Sequence, residues 1–400
     1  MQLLKPRVYA DAAAATPLSP RARRQLVRLL SIYGNAGALH REALAAKREL
    51  ESARERVADA LSAHMDEIIF TSGGTEGNNM ALGGSISALV GEFGPVHAIT
   101  LAIEHPSVLE PLRAMALEGH IELTELSVEE DGRLSLEALK DAIRPNTALI
   151  SIQLINSEIG TIQDIREVMK LVRHEKRSRT SRAAELPIYV HTDASQAPLW
   201  LPLNVEKLGV DLITLDGQKI MGPKGVGALY VRRGTVLQPV VFGGGQEKGL
   251  RSGTENVPLI GSFAVAFEDA QKGVEARAAR IADVRDFLMR EIAQNIPNAT
   301  FHGVMGEWRA ANNCSLSIPG LLGDMAVLAL DAEGVAASTR SACGSDTEAP
   351  SHVIMALGRG AQTAREAVRL TLLPSATMRD ASLIAHALKK VVQRYARVIE

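Results

Sequence analysis

The sequence predicts an α/β protein: a large domain with a mainly parallel sheet flanked by helices, followed by a smaller C-terminal α/β domain. Three observations predict it. From about residue 65 to 260, short runs that are apolar on both faces alternate with helix-length segments, the pattern of a buried parallel sheet. After about residue 262 the texture changes and long helical segments take over. Finally, 400 residues exceed what one core ordinarily serves, while a hydrophobic fraction of 46% is ample for two. Residues 21–262 are therefore expected to form the large domain, and residues 1–20 with 263–400 the small one.

The strand candidates are Glu67–Thr71, Val96–Ile103, Ala148–Ile155, Ile188–His191, Asp211–Leu215 and Gly227–Val231. Each is short and mostly apolar on both faces, so each is expected to be buried. A helix-like Gly77–Leu82 follows the first run. Past residue 262, one long helical segment from Ala264 to Ile296 leads into a strand-like Asn313–Ile318. Helix candidates follow at Met325–Leu330 and His352–Leu357, then a strand-like Ala367–Thr371 and an amphipathic helix from Arg379 to Val398. The basic stretch 173–182 reads as a solvated loop ahead of the Ile188 strand; its alternative is a docking surface for an acidic partner or tRNA.

Net charge is −2 and the pI near 6.6, so bulk charge suggests neither nucleic-acid nor membrane binding. Two cysteines, Cys314 and Cys343, make a disulfide framework improbable. No uncharged apolar stretch reaches the ~20 residues that span a bilayer, and the N-terminal residues lack the long apolar core of a leader. A soluble cytoplasmic protein is the expectation.

Ligands of open parallel sheets bind beyond the carboxyl ends of the strands. Glu104 and His105 follow one run, Asn156, Ser157 and Glu158 the next, Asp193 and Gln196 the next, and Asp216, Gln218 and Lys219 the last. Four strands thus bring polar, reactive groups to one edge. Lys219 and Asp193 together are what a pyridoxal phosphate enzyme needs. The amine holds the aldehyde as a Schiff base, and the carboxylate keeps the pyridine nitrogen protonated. Ser72-Gly73-Gly74-Thr75-Glu76 adds a glycine-rich strand-to-helix turn, where free backbone N–H groups and the helix dipole favour a phosphate. Arg369 reads either as a surface arginine or as a bidentate clamp for a substrate carboxylate. Each of the others has a plain alternative too: a surface lysine for Lys219, a helix N-cap for Asp193, a turn-former before Pro106 for His105.

The two cysteines differ in setting. Cys314 lies in Asn313–Ile318 and reads as a buried structural thiol. Cys343 lies in the small polar run Arg340-Ser341-Ala342-Cys343-Gly344-Ser345, where an exposed thiol beside Arg340 is a candidate for a lowered pKa. A loop cysteine without a role is the alternative.

Together these segments resemble the cysteine desulfurases, fold-type I pyridoxal phosphate enzymes of the class V aminotransferase group. The resemblance rests on Thr71–Glu76, Glu104-His105, Asn156–Gly160, His191-Thr192-Asp193, Lys219 with Gly222-Pro223-Lys224-Gly225, and Arg251–Asn256. It runs from about Tyr9 to the C-terminal helix. It implies that Lys219 holds the cofactor and later moves the Cα proton of L-cysteine. His105 would stack on the ring, Asp193 pair with the pyridinium nitrogen and Gln196 bond the phenolic oxygen. The Gly74 amide and Thr75 would hold the phosphate, with Ser157, Asp216 and Gln218 at the cofactor's edge. Thr254 would reach the phosphate of the other subunit of a homodimer. Asn156 and Arg369 would bind substrate. Cys343 would take the sulfur as a persulfide, leave L-alanine, and pass sulfur to an acceptor protein for iron–sulfur cluster assembly or tRNA thiolation.

The chain also departs from the family pattern. Asp216-Gly217-Gln218 stands where Ser-Gly-His is usual, which puts a carboxylate beside the phosphate, and Ser157 replaces an amide side chain. Two alternatives stay open: a related pyridoxal phosphate lyase or aminotransferase that forms no persulfide, and a non-catalytic scaffold that kept the fold, which the departures at Asp216 and Ser157 motivate.

Overall fold

The computed structural model describes residues 7–179, 185–339 and 349–399, the side chains of 396–399 excepted. Cys343 and Arg340 lie outside the described residues, as do Thr180, Ser181 and Arg182 of the basic stretch. Strand β1 (Val8–Tyr9) opens the chain. Helices Pro20–Leu29 and Arg41–Leu61 precede β2 (Ile68–Thr71). Then come β3 (Val96–Leu101), β4 (Ile121–Leu126), β5 (Thr147–Ser151), β6 (Tyr189–Asp193), β7 (Leu212–Asp216) and β8 (Gly227–Val231).

These seven strands form one sheet in the order β2-β8-β7-β6-β5-β3-β4. The pairs from β7 through β4 are parallel, whereas β8 runs antiparallel to both β7 and β2. Successive residues of a strand face opposite ways, and here both ways are apolar. Ala98 and Leu149 face a layer with Leu82, Ile86, Val108 and Leu112. Their neighbours Ile99 and Ile150 face the other core, with Val57, Leu61, Val168 and Phe263.

Strand β4 does not appear among the sequence candidates. It alternates polar and apolar residues at the sheet edge and is buried only at Ile121 and Leu126. The helix after β2 is also longer than expected, running Gly74–Phe93. Gly77 presses it onto the sheet, since a Cβ there would stand 2.8 Å from Thr214 Cγ2.

The expected single helix Ala264 to Ile296 is two helices, Val257–Gln271 and Val274–Asn295. They break at Gly273, whose φ of 63° is left-handed and open to glycine at little cost. The basic stretch is likewise corrected. Helix Ile165–Ser178 carries it as far as Ser178, because Ile165, Val168, Met169 and Val172 make one buried stripe. Arg179 then donates to the carbonyls of Arg144, Thr147 and Leu186, so it staples strand ends rather than facing solvent.

A second, antiparallel sheet holds β9 (Thr300–Phe301), β10 (Asn313–Ser317) and β12 (Ala367–Thr371), in the order β12-β10-β9. Helix Gly323–Ala332 leads to β11 (Val335–Ala336), which pairs in parallel with β1. An Asp11–Thr371 bridge continues this contact. Helices His352–Ala356 and Met378–Ile399 complete this part. Cys314 is fully buried on β10, and burial pushes its thiol up to about 12. Among the described residues, no helix is long and apolar enough to cross a membrane.

Candidate active site

The carboxyl ends of β3, β5, β6 and β7 open onto one cavity of about 250 Å³. His105, Ser157, Asp193, Gln196, Asp216, Gln218 and Lys219 all line it, with Gly74 and Thr75 from the helix start and Arg369 from β12. The strand-end rule therefore gathers groups that lie more than a hundred residues apart.

Lys219 sits on a 3-10 turn, Gly217–Lys219, that directly follows β7. Its Nζ donates to the carbonyls of Ala13 and Ala14 at 2.8 and 2.6 Å. Gln196 Nε2 donates to the same Ala13 carbonyl at 2.9 Å. Thr16 locks this N-terminal loop to the lysine turn by donating to the Gln218 carbonyl and accepting from Met221 N–H.

Asp193 ends β6 and does not cap a helix. Its Oδ1 accepts from Ser195 N–H at 2.9 Å, and its Oδ2 accepts from Asn78 Nδ2 at 2.8 Å. Asn78 Nδ2 also donates to Ser107 Oγ at 2.8 Å, and Ser107 Oγ lies 2.7 Å from His105 Nδ1. His105 is the N-cap of helix Pro106–Leu117, its Nδ1 accepting from Ser107 N–H. Both readings of His105 thus hold in space: it shapes the turn and lines the cavity. Burial lowers its pKa, with opposing pulls from Asp193 and Lys219. Because Ser107 directs donors at Nδ1, the neutral ring carries its proton on Nε2. Asp193, Asn78, Ser107 and His105 form one chain of matched donors and acceptors.

Arg369 is 2% exposed, and its Nη2 pairs with Asp11 Oδ1 at 2.9 Å. Nη1 donates to Ser157 O at 3.3 Å, and Nε has no partner among the described residues. An arginine so buried, with an N–H unspent, is set up to take an anion.

The phosphate side is different. Asp216 Oδ1 and Oδ2 accept from the backbone N–H and side-chain Nε2 of Gln218, each at 3.1 Å. A Cβ on Gly74 would stand 3.0 Å from Ser195 Oγ and 3.3 Å from Asp216 Oδ2. Glycine leaves that space as a hollow at the helix start. Ser195 Oγ is buried there and has no partner among the described residues. Unpaired helix N–H groups and an orphaned hydroxyl around a hollow fit a phosphate.

Asn156 is not brought here, and Thr254, expected at the other subunit's phosphate, does not line this chain's own cavity. Asn156 is buried behind the wall, where its Oδ1 accepts from the N–H groups of Glu158 and Ile159 and its Nδ2 donates to Ile103 O. Thr254 lines a separate hollow with Ser72 and Arg251. Sequence reasoning passed over Asn78, Ser107, Ser195 and Asp11. Paired asparagines early in a helix and a lone carboxylate in an alanine run were the available signals. Both ends of the span that holds Cys343 are anchored beside the cavity. Ser338 bridges Arg369, and Ser351 Oγ donates to Glu158 Oε2 at 2.5 Å.

Fold and site define a pyridoxal phosphate enzyme, and residues 8–384 match the family Aminotransferase class-V. The chain is 39% identical to the cysteine desulfurase IscS of Dictyoglomus turgidum, over 98% of this chain and 96% of that protein. It is 36% identical to cysteine desulfurase IscS 1 of Archaeoglobus fulgidus, over 96% and 97%. A solved NifS-like protein matches with a TM-score of 0.88 at 31% identity, covering 97% of this chain and 100% of that one. SspA, solved in complex with cysteine, matches at 32% identity and a TM-score of 0.77, over 92% and 100%. Within class V, the chain belongs to the cysteine desulfurase family.

Proposed function

We propose that this chain takes sulfur from L-cysteine, releases L-alanine, and carries the sulfur as a persulfide on Cys343 for transfer to an acceptor protein. The observation that carries this reading is the meeting of Lys219, Asp193, His105 and Arg369 in one cavity. Lys219 would hold the aldehyde of pyridoxal phosphate, Asp193 its ring nitrogen, and Gly74, Thr75 and Ser195 its phosphate. Bound there, the cofactor supplies an electron sink for a carbanion at the substrate Cα.

Arg369, which lines the cavity, would orient the substrate by its carboxylate. Lys219, whose amine lines the cavity, would move the Cα proton. The neutral His105 presents Nε2–H to the cavity and gives a proton where charge develops. The Cys343 thiolate attacks the substrate sulfur; the carbon–sulfur bond breaks as the S–S bond forms. L-cysteine and one enzyme thiol thus become L-alanine and one enzyme persulfide, with no external oxidant. The acceptor would serve iron–sulfur cluster assembly or tRNA thiolation. A reducing cytoplasm suits a reaction that needs a free thiol. A homodimer would place Thr254 at the partner's phosphate.

A single-turnover reaction with L-cysteine tests this, reading alanine and Cys343 persulfide by mass spectrometry beside Lys219→Ala and Cys343→Ser. Both products are expected, and both are expected to vanish in Lys219→Ala. Cofactor with alanine or pyruvate but no persulfide would replace this reading with the lyase one.

A further inference from the structure

The phosphate hollow contains one group that a phosphate dianion should not meet. Asp216 Oδ2 lies in its wall, 3.3 Å from where a Gly74 Cβ would be. Gln218 directs its backbone N–H and one of its two amide N–H groups at that carboxylate, which leaves one amide N–H for the ligand but brings no charge to offset the carboxylate's. The remaining donors are the first N–H groups of helix Gly74–Phe93 and the hydroxyls of Thr75 and Ser195. A carboxylate and a phosphate dianion in contact would place three negative charges in a half-closed site.

Resting on the proposed cofactor site, we infer that this hollow binds the phosphate together with one proton, shared between Asp216 Oδ2 and a phosphate oxygen. The proton comes from solvent and makes an O–H···O bond between two groups that are otherwise both acceptors. The pair then carries two negative charges instead of three. The second pKa of a phosphate monoester is about 6, so the proton must be taken up whenever the free ligand is a dianion. Ligand affinity therefore falls as pH rises, by about tenfold in Kd per pH unit where the free phosphate is a dianion.

The surrounding charges do not supply this proton. From the helix, Glu76 is bound to Arg251 Nε at 2.7 Å and to Ser72 N–H at 2.9 Å. From β6, Asp193 is held by Asn78 and Ser195 N–H. From the turn after β7, Lys219 donates to Ala13 and Ala14. Its amine would be engaged by the cofactor aldehyde, away from the phosphate. His105 faces the ring end and keeps its Nδ1 occupied by Ser107.

The test uses the full chain freed of cofactor and two aldehyde-free ligands, pyridoxine 5′-phosphate and pyridoxine. Omitting the aldehyde removes the pH dependence of imine formation, and the phosphate-free ligand subtracts that of the ring. Kd is read by protein fluorescence from about pH 6.5 to 8.5, roughly two decades of proton activity, for wild type, Asp216→Ser and Asp216→Asn. For wild type the phosphate ligand should lose about a hundredfold relative to pyridoxine across that range. Both variants should flatten the slope, and the ³¹P signal of the bound ligand should move from monoanion-like to dianion-like. Equal slopes in wild type and either folded variant would overturn the inference, as would a dianion-like signal in wild type. Failure of pyridoxal phosphate itself to bind at any pH would instead overturn the cofactor site on which it rests.

Discussion

The two ends of the cofactor cavity are built to different standards. At the ring end, Asp193, Asn78, Ser107 and His105 are joined donor to acceptor by bonds of 2.7–3.1 Å, with Asn78 Oδ1 left without a partner among the described residues. At the phosphate end, Ser195 Oγ is unpartnered among the described residues and Asp216 takes the backbone N–H and one amide N–H of Gln218. The difference separates two tasks. The ring end must fix a protonation pattern, which needs a continuous chain of hydrogen bonds from Asp193 to His105. The phosphate end needs only affinity, and it can be left to be completed by its ligand. Chemistry should therefore be sensitive at the ring end, and binding at the other.

The largest effect is expected from Lys219→Ala, which removes both the amine that would hold the cofactor aldehyde and the group that would move the proton. Turnover should fall by at least the ~10²–10⁴-fold typical of a general acid–base group, and the visible absorbance of the bound cofactor should vanish. In that background the ends can be ranked by equilibrium dialysis of the cofactor. Thr75→Ala should weaken binding, whereas in the otherwise intact chain Asp193→Asn should lower kcat far more than Thr75→Ala does. A larger kcat loss from Thr75→Ala would break the comparison.

Arg369 sharpens it from the substrate side. Its pairing with Asp11 is a buried ion pair, and removing one partner leaves a cation in a site that is 2% exposed. Asp11→Asn should cost about 3 kcal/mol of stability in urea unfolding. Adding L-alanine, whose carboxylate can take Asp11's place, should restore part of that loss in the variant and little in wild type.

Acid should unsettle the ring end through its strand. His191 on β6 is fully buried between Ser151 Oγ and Thr214 Oγ1, and burial pushes its pKa down to about 4; His302 is likewise pushed down to about 4. Both are neutral in the fold, while the unfolded chain protonates them near 6.5. Below that pH the unfolded state binds more protons, so stability is full above about 6.5 and is lost as pH falls toward 4. The loss should reach about 3 kcal/mol per histidine. His191→Gln should shallow the decline in a denaturation series from pH 7 to 4.

What was legible in the sequence follows the same division. Lys219, Asp193, His105 and Asp216 could be placed together because a parallel sheet delivers its strand ends to one edge, and each stands at such an end or within four residues of it. Asn78, Ser107 and Asp11 act through other side chains, and no periodicity marks a residue by what its neighbour does. Strand β4 was not legible because Ile121–Leu126 mixes polar with apolar residues, as an edge strand can, instead of running apolar on both faces like the buried strands. The break at Gly273 and the helix through the basic stretch were written in the chain, the first as a glycine and the second as a stripe ending at Val172. Charge density in 173–178 outweighed the stripe in the reading, although a helix needs only one apolar face. The two-residue strands β1, β9 and β11 are too short to show any pattern.

The smallest predicted effect is the most specific to the ring end. Asn78 gives both its amide protons away, one to Asp193 Oδ2 and one to Ser107 Oγ. With Ser107 Oγ accepting from Asn78, its own proton is free to point at His105 Nδ1, which also receives Ser107 N–H. Two donors on Nδ1 oppose a proton there and fix the tautomer with hydrogen on Nε2. Asn78→Ala frees the Ser107 hydroxyl to turn and accept, so Nδ1–H becomes tolerable and the lowered pKa of His105 should rise toward its ordinary value. Nitrogen-15 imidazole spectra of the cofactor-free chain would read both changes, since tautomer and protonation shift the two ring nitrogens differently. Asp193 loses a charge-assisted bond of about 1.5–3 kcal/mol at the same time, so kcat should fall together with the change in its pH profile. Asn78→Ser, too short to span both partners but able to donate to one, should recover part of the Asp193 bond without restoring the tautomer. A His105 spectrum unmoved in both variants would mean that the ring is set by burial alone, and that the ring end is no more tightly specified than the phosphate end.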